Sequence, residues 1–168
     1  CWIAMVRGNH DDPAYFELQA DGNTLIHHAR WRTVPDYAVI QACGRMVLCV
    51  GGAVSVDRQI RLREMKRHSG KLFYWSNETV RYDAEALDAI RDAGLQVDIV
   101  VTHTAPSICE FKSKQGLATW AQYDATLLDD CDAERSAMDK ILVHLKHDRH
   151  PLERWYYGHF HNSWHSEI

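Results

Sequence analysis

Three short runs of the chain carry side chains that bind metals and phosphate. The first, residues 7–13, holds an amide, an imidazole and two carboxylates directly after an apolar stretch. The second ends at His103 after the apolar residues 97–101, and the third has His159 and His161 two positions apart. Imidazole is the commonest side-chain ligand of transition metals, and oxygen ligands bind harder divalent cations. The three runs therefore predict a metal site if the fold brings them together.

The first run has the residue order of a strand, a tight turn and a helix start. Gly8 permits a sharp turn, Asp12 is a good N-cap, and Pro13 suits the first helical position. A helix N-terminus favours anions. The run therefore predicts a strand end that presents an amide, an imidazole and a carboxylate beside a phosphate-favouring position.

The pair His159 and His161 falls in a predicted extended segment, where alternate residues point to the same side. An isolated pair of this kind is more often two solvated histidines than a ligand pair. Because Asn9, His10 and His103 also follow predicted strands, we interpret the pair as metal ligands. His165 is a spare ligand candidate.

Strands and helices alternate along the chain, which predicts an α/β fold with sheet strands covered by helices. Ligands usually bind at strand ends in such folds. A helix at 133–147 is indicated by apolar residues at i, i+3, i+4 and i+7. The other predictions are strands at 2–6, 37–42, 46–50, 97–101 and 154–157, a short strand near 25–26, helices at 13–18 and 83–93, a partly helical segment at 58–69, and a loop at 106–120.

Composition predicts one soluble domain, because 46% of the 168 residues are hydrophobic and 25% are charged. The net charge of −4 gives no general attraction to nucleic acid, which stays possible as a partner but is not indicated. No apolar run approaches the roughly 18 residues of a membrane span, so we expect no membrane partner. Five cysteines, an odd number without a Cys-x-x-Cys pair, predict free thiols in the cytoplasm.

On these three runs the chain resembles the calcineurin-like metallophosphoesterase family. Residues 8–11, His103 and residues 158–161 match the family's third, fourth and fifth motifs. The first two motifs, Asp-x-His and Gly-Asp-x-x-Asp, would lie upstream of Arg7 and are absent from the sequence. The resemblance implies one domain over residues 1–168, a layered metallophosphoesterase-like sheet sandwich flanked by helices and truncated at its N-terminus, with closing strands expected after residue 168.

The resemblance also implies two divalent metal ions, with Mn, Fe, Zn or Ni all reasonable. It assigns Asn9, His103 and His159 to the second metal and His161 to the first. The remaining ligands, including a bridging Asp, would lie upstream. The chain alone is thus expected to bind metal poorly or incompletely, and as an isolated fragment to be weakly active or inactive.

Catalytic roles follow from the same resemblance. A metal-bound hydroxide would attack phosphorus, and His10 would protonate the leaving oxygen as general acid. Asp11 could hold the ring of His10 or simply cap the turn, and Arg7 could grip a phosphate oxygen or be a solvated charge. These alternatives stay open from sequence alone.

The predicted function is hydrolysis of a phosphomonoester or phosphodiester in a phosphorylated substrate of unknown class, with the oligomeric state left open. Two alternatives compete: a non-catalytic, protein-binding scaffold of the same fold, and a metal hydrolase of other chemistry, such as an amidase. A basic stretch at residues 58–71 could steer an anionic substrate, although a solvated basic surface is the plainer interpretation.

Overall fold

The computed structural model describes residues 3–68, 71–109 and 116–161, and shows a mixed α/β fold with two small sheets. Its strands are β1 (Ile3–Val6), β2 (His27–His28), β3 (Trp31–Val34), β4 (Ala38–Ala42), β5 (Arg45–Val50), β6 (Ile99–Thr102) and β7 (Arg154–Tyr156). The four helices among these residues are α1 (Arg58–Arg67), α2 (Ala84–Asp92), α3 (Leu117–Ala121) and α4 (Leu127–His147). Short 3₁₀ turns lie at Pro13–Phe16 and Ser107–Cys109.

The strand directions place the C-terminal ends of several strands at one edge of the structure. One sheet has the order β1-β3-β2, and the other has the order β4-β5-β6-β7. Strands β5, β6 and β7 are parallel, with Val50 opposite Thr102 and Val101 opposite Tyr156. The Gly52 N–H donates to the carbonyl oxygen of Arg7 at 2.8 Å, which brings the end of β1 to the same edge.

The four-stranded sheet is covered on both faces, as the alternation along β5 shows. Val47 and Cys49 pack with Val34 of the other sheet in one apolar cluster. Leu48 and Val50 belong to a second cluster, which includes residues of α2 and α4 such as Leu87, Met138 and Leu145. Alternate strand residues point to opposite faces, so β5 separates a sheet-facing core from a helix-facing core.

Most predicted elements are confirmed by the structure. The hairpin of β4 and β5 closes through Cys43 and Gly44, whose φ angles of 51° and 77° fit a two-residue hairpin turn. Helix α2 is capped by Asp83, whose carboxylate accepts the N–H of Ala86 at 3.0 Å. Helix α1 lies within the segment that was predicted to be partly helical, and the cysteines within the described residues are free thiols, as expected.

The structure differs from five predictions of local structure. The predicted helix at 13–18 is only a 3₁₀ turn, the strand near 25–26 lies at His27–His28, and the loop at 106–120 contains α3. Strand β3 was missed because its burial pattern is two exposed residues followed by two buried ones, which gives no alternation. Helix α4 begins at Leu127, six residues early, because this buried leucine anchors its first turn.

Several predicted features lie outside the described residues, namely the strand start at Trp2, residues 110–115 of the predicted loop and the spare ligand His165. None of the described helices is both long and apolar enough to cross a membrane. The helices and the two sheets show the α/β class. The specific metallophosphoesterase layering stays a prediction.

Acid is expected to destabilise the fold through His150. This residue is buried, and its Nδ1 accepts the N–H of Val97 at 3.3 Å. Burial lowers the pKa of His150, so the unfolded chain takes up a proton that the folded protein resists. Its contribution is complete above pH 6.5 and is lost as the pH falls towards the lowered folded pKa, by up to about 1.4 kcal/mol per pH unit.

The variant His150→Asn tests this because the amide oxygen replaces the acceptor without titrating. Urea denaturation at pH 7.5 and pH 5.5 should give a smaller loss of unfolding free energy for the variant than for the unmodified chain. Other histidines contribute equally to both proteins. An identical pH dependence in the two proteins would contradict the role assigned to His150.

Candidate metal centre

Asn9, His103 and His159 lie together at the sheet edge. The Oδ1 atom of Asn9 is 2.9 Å from Nε2 of His103, and the ring centroids of His103 and His159 are 5.1 Å apart. Asn9 follows β1, His103 follows β6, and His159 follows β7. The fold thus joins one ligand candidate from each of the three sequence runs, as predicted from the strand ends.

Glycines allow these strand ends to approach closely. A Cβ atom on Gly8 would lie 3.1 Å from the Cε1 atom of His103, and the Gly158 N–H donates to the carbonyl oxygen of His103 at 3.1 Å. A Cβ atom on Gly51 would lie 2.6 Å from the Cβ atom of Arg7. Gly52 has a φ of 89°, which favours glycine. Larger residues at these positions would separate the strands that carry the site.

His10 and His161 complete the histidine cluster. Both are exposed, and the charge of each acts to lower the pKa of both His103 and His159. His159 and His161 have φ angles of 67° and 52°, so the prediction of an extended segment here is wrong, since β7 already ends at Tyr156. Such conformations are uncommon outside glycine and cluster at functional sites. The charges of His10 and His161 thus act on both His103 and His159.

The two inner histidines are held in the form that binds metal. Burial is the largest cause that lowers the pKa of His103, partly opposed by the Asp11 carboxylate. Burial, followed by the charge of His103, lowers the pKa of His159 to about 3. Neutral imidazole is the ligand form, whereas imidazolium offers no lone pair. One amide oxygen and two neutral imidazoles are therefore a donor set that fits a divalent transition metal.

The side chain of Asn9 is held from behind by Ser55 and Glu78. Its Nδ2 atom donates to the Ser55 hydroxyl at 2.8 Å, and that hydroxyl donates to Oε2 of Glu78 at 2.9 Å. Oε1 of Glu78 accepts the backbone N–H of Ser55 at 2.7 Å. All three residues are buried, and Glu78 is 1% exposed. Burial raises the pKa of Glu78, and the hydrogen bonds from Ser55 oppose this shift.

Arg61 holds the same region through its guanidinium group. It donates to the backbone carbonyl oxygen of Asn9 at 3.2 and 3.1 Å and to the Ser55 hydroxyl at 3.1 Å. Its Nη1 atom lies 3.4 Å from Oε2 of Glu78. This buried arginine therefore supplies a positive charge beside the buried Glu78 carboxylate.

A second buried carboxylate, Glu134 of α4, ties two of the site loops together. Its Oε2 atom accepts the N–H of Val54 at 2.5 Å, and its Oε1 atom accepts the hydroxyl of Thr104 at 2.7 Å. Val54 follows β5, and Thr104 is the neighbour of His103. Burial raises the pKa of Glu134. The helix thereby fixes the loop that carries His103 relative to the loop that carries Ser55.

Arg7 lies inside the protein. Its Nη1 atom donates to the carbonyl oxygen of Glu78 at 2.7 Å, and its Nη2 atom pairs with Asp36 at 2.8 Å. The side chain is 6% exposed. The interpretation of Arg7 as a solvated charge is therefore wrong, because the guanidinium is buried against Glu78 and Asp36. Its contact with a phosphate oxygen stays a prediction. Arg7 joins β1 to the loop before α2.

The sequence left two roles open for Asp11, and the structure shows the capping role. Its Oδ2 atom accepts the N–H of Gly8 at 2.7 Å. Among the described residues, no hydrogen bond joins Asp11 to His10. The carboxylate therefore closes the turn that presents Asn9 and His10, and it affects the site through its charge.

The start of the basic stretch is also neutralised internally. Arg58 donates to Asp124 at 2.5 Å and pairs with Asp130 at 2.6 Å, and these contacts raise its pKa. With Arg61 buried as well, two of the cations of α1 hold the fold together. They are not available to steer a substrate.

A separate cluster lies between α2 and the C-terminal end of α4. The Nε2 atom of His144 is 3.4 Å from Asp88 and 3.2 Å from Asp148, and these three side chains could hold a cation. Arg91 already pairs with Asp88 at 2.5 Å and lies 3.6 Å from Asp148. The hydroxyl of Tyr82 is 2.9 Å from Nδ1 of His144. The arginine gives this cluster a simpler explanation as an ion-pair network.

Comparison with known proteins adds no relative: no protein-family model matches the chain, and neither a curated protein nor a solved structure matches it. The family resemblance carried by residues 8–11, His103 and residues 158–161 is thus neither supported nor contradicted. Function has to be argued from the chemistry of the site.

The buried polar residues Ser55, Glu78 and Glu134 were not predicted from the sequence. Glu134 could have been found, because it lies four positions before Met138 on the apolar face of α4, and an acid on such a face signals a buried partner. Ser55 and Glu78 lie in irregular segments, where no periodicity identifies a buried polar side chain.

Proposed function

We propose that this chain is part of a metal-dependent phosphoesterase, with Asn9, His103 and His159 as ligands of one divalent metal. The observation that carries the proposal is the convergence of one amide oxygen and two neutral imidazoles at the sheet edge. His161 is proposed as a ligand of a second metal. When bound, such metals supply Lewis acidity and lower the pKa of water.

His10 is proposed as the general acid of the reaction. It is exposed at the turn that also presents Asn9, so its ring can reach a substrate above the metal ligands. Its charge acts on both inner histidines, which supports its place at the same site. An imidazole at this position can protonate a leaving alkoxide or phenoxide oxygen.

Two features favour phosphate esters over other substrates. The site combines neutral metal ligands with a separate imidazole, and this leaves an electropositive site once cations bind. The motif resemblance points to the same chemistry. A cytoplasmic location and a phosphorylated substrate belong to this proposal.

The test is hydrolysis of p-nitrophenyl phosphate and bis-p-nitrophenyl phosphate with Mn²⁺ and with chelator. It uses this chain and the longest protein that its gene encodes, side by side. We expect turnover that requires metal, with the preferred ester defining the substrate class. Absence of metal-dependent turnover in both proteins would overturn the catalytic proposal and favour a binding scaffold, whereas cleavage of amide substrates only would favour an amidase.

A further inference from the structure

The hydroxyl of Ser55 has no hydrogen-bonding capacity left over. A serine hydroxyl has one proton to donate and two lone pairs to accept with. The proton goes to Oε2 of Glu78 at 2.9 Å, and the lone pairs accept Nδ2 of Asn9 at 2.8 Å and Nη1 of Arg61 at 3.1 Å. Because the proton is used on Glu78, Ser55 can only accept from Asn9.

This proton count fixes which way the amide of Asn9 points. An amide has a donating NH₂ end and an accepting oxygen end, and the two are nearly identical in shape. With the NH₂ end bound to Ser55, Oδ1 must face His103, where it lies 2.9 Å from Nε2. Only the oxygen end can bind a cation.

We propose that Ser55 and Glu78 are positioning residues that orient the oxygen of Asn9 towards the metal centre. The link to the metal rests on the proposed function, whereas the orientation of the amide stands on the hydrogen bonds alone. The hydrogen bonds link the Glu78 carboxylate, the Ser55 hydroxyl and the Asn9 amide in series. Reversing the direction of donation at Glu78 would therefore reverse it at Asn9. Glu78 therefore acts on the metal without touching it.

Arg61 keeps Glu78 in its accepting role. Its Nη1 atom lies 3.4 Å from Oε2, so a fixed positive charge faces the carboxylate oxygen that receives the Ser55 proton. The backbone N–H of Ser55 occupies the other oxygen at 2.7 Å. Both oxygens of Glu78 thus accept hydrogen bonds, as an ionised carboxylate does.

Two variants separate the orientation of Asn9 from the packing around it. In Glu78→Gln the backbone N–H of Ser55 holds the amide oxygen of the new glutamine, so its NH₂ group donates to the Ser55 hydroxyl. The hydroxyl proton must then go to Asn9, whose oxygen turns away from His103. In Ser55→Ala the amide of Asn9 loses its anchor and can adopt either orientation.

The first readout needs no metal. In the unmodified chain Nε2 of His103 donates to Asn9, so long-range ¹H–¹⁵N NMR should show the Nε2–H tautomer. Glu78→Gln should move His103 towards the Nδ1–H tautomer, because the reversed amide donates to Nε2. Ser55→Ala should give a mixture. An unchanged tautomer in both variants would overturn the proposal.

The second readout is Mn²⁺ affinity, measured by calorimetry on the same proteins. Partners of metal ligands typically contribute 10–100-fold in affinity, so we expect a loss of about that size for Glu78→Gln. The matched control is Asp98→Asn, because Asp98 accepts the Met46 N–H at 2.7 Å at the opposite end of β5. Its affinity should equal that of the unmodified chain.

The two readouts also distinguish this inference from the proposed function. A tautomer change combined with no Mn²⁺ binding, both in the unmodified chain and in the longest protein that its gene encodes, would support the orienting role of Glu78 and overturn the metal centre. Equal Mn²⁺ affinity in the unmodified chain and Glu78→Gln, with binding still dependent on His103, would overturn the positioning role and leave the metal centre standing.

Discussion

Replacing His103 by alanine is expected to lower the affinity of the chain for Mn²⁺ by more than about 100-fold, since the partners of metal ligands alone contribute 10–100-fold. His103 is close to both of the other proposed ligands: its Nε2 atom is 2.9 Å from Oδ1 of Asn9, and its ring centroid is 5.1 Å from that of His159. Loss of the His103 imidazole leaves only two of the three proposed metal ligands, Asn9 and His159. Isothermal titration calorimetry in metal-free buffer measures the change.

The matched control for this variant is His68→Ala. His68 lies at the C-terminal end of α1, and its side chain is 59% exposed. The variant His68→Ala therefore removes an imidazole, the same chemical group, from the surface. We expect His103→Ala to fold, because the backbone carbonyl that accepts the Gly158 N–H remains. Circular dichroism checks that both variants are folded. Equal affinities in His103→Ala and His68→Ala would contradict the proposed ligand set.

Replacing His10 by alanine is expected to lower turnover about 10²–10⁴-fold, which is the usual contribution of a general acid. The loss should be larger for phenyl phosphate than for p-nitrophenyl phosphate, because p-nitrophenolate leaves without a proton. Mn²⁺ affinity should stay unchanged, because His10 is exposed and is not among the proposed ligands. Steady-state kinetics on both esters, in the protein that shows turnover, provides the measurement.

A comparison of leaving groups makes the role of His10 specific. A residue that only binds substrate would reduce the rate with both esters by the same factor. Equal losses for phenyl phosphate and p-nitrophenyl phosphate would therefore assign His10 to substrate binding. Unchanged rates with both esters would remove it from the reaction.

Local sequence predicted the elements that have local causes. The hairpin at Cys43 and Gly44 and the capped helix α2 follow from turn and cap residues, which act over a few positions. Strand β3 could not be predicted in this way, because Trp31 and Arg32 are exposed and its partner β1 lies about thirty residues away. Its pairing depends on contacts that no short window of sequence contains.

The site shows the same division between local and distant causes. That His103 and His159 meet could be predicted, because each follows a strand and the parallel strands β6 and β7 end at one edge. Asn9 follows β1 of the other sheet and reaches that edge through the hydrogen bond between Gly52 and Arg7. The inward position of Arg7 could not be predicted, because its partner Asp36 lies 29 residues away and its acceptor Glu78 lies 71 residues away. Buried polar partners are fixed by the fold.

The most direct test of the proposed metal centre is anomalous diffraction from crystals of the chain grown with Mn²⁺. We expect an anomalous peak within about 2.0–2.3 Å of the Asn9 oxygen and of a ring nitrogen of both His103 and His159, as transition-metal bonds require. Absence of a peak between these three side chains, or a peak only among Asp88, His144 and Asp148, would contradict the proposed metal centre.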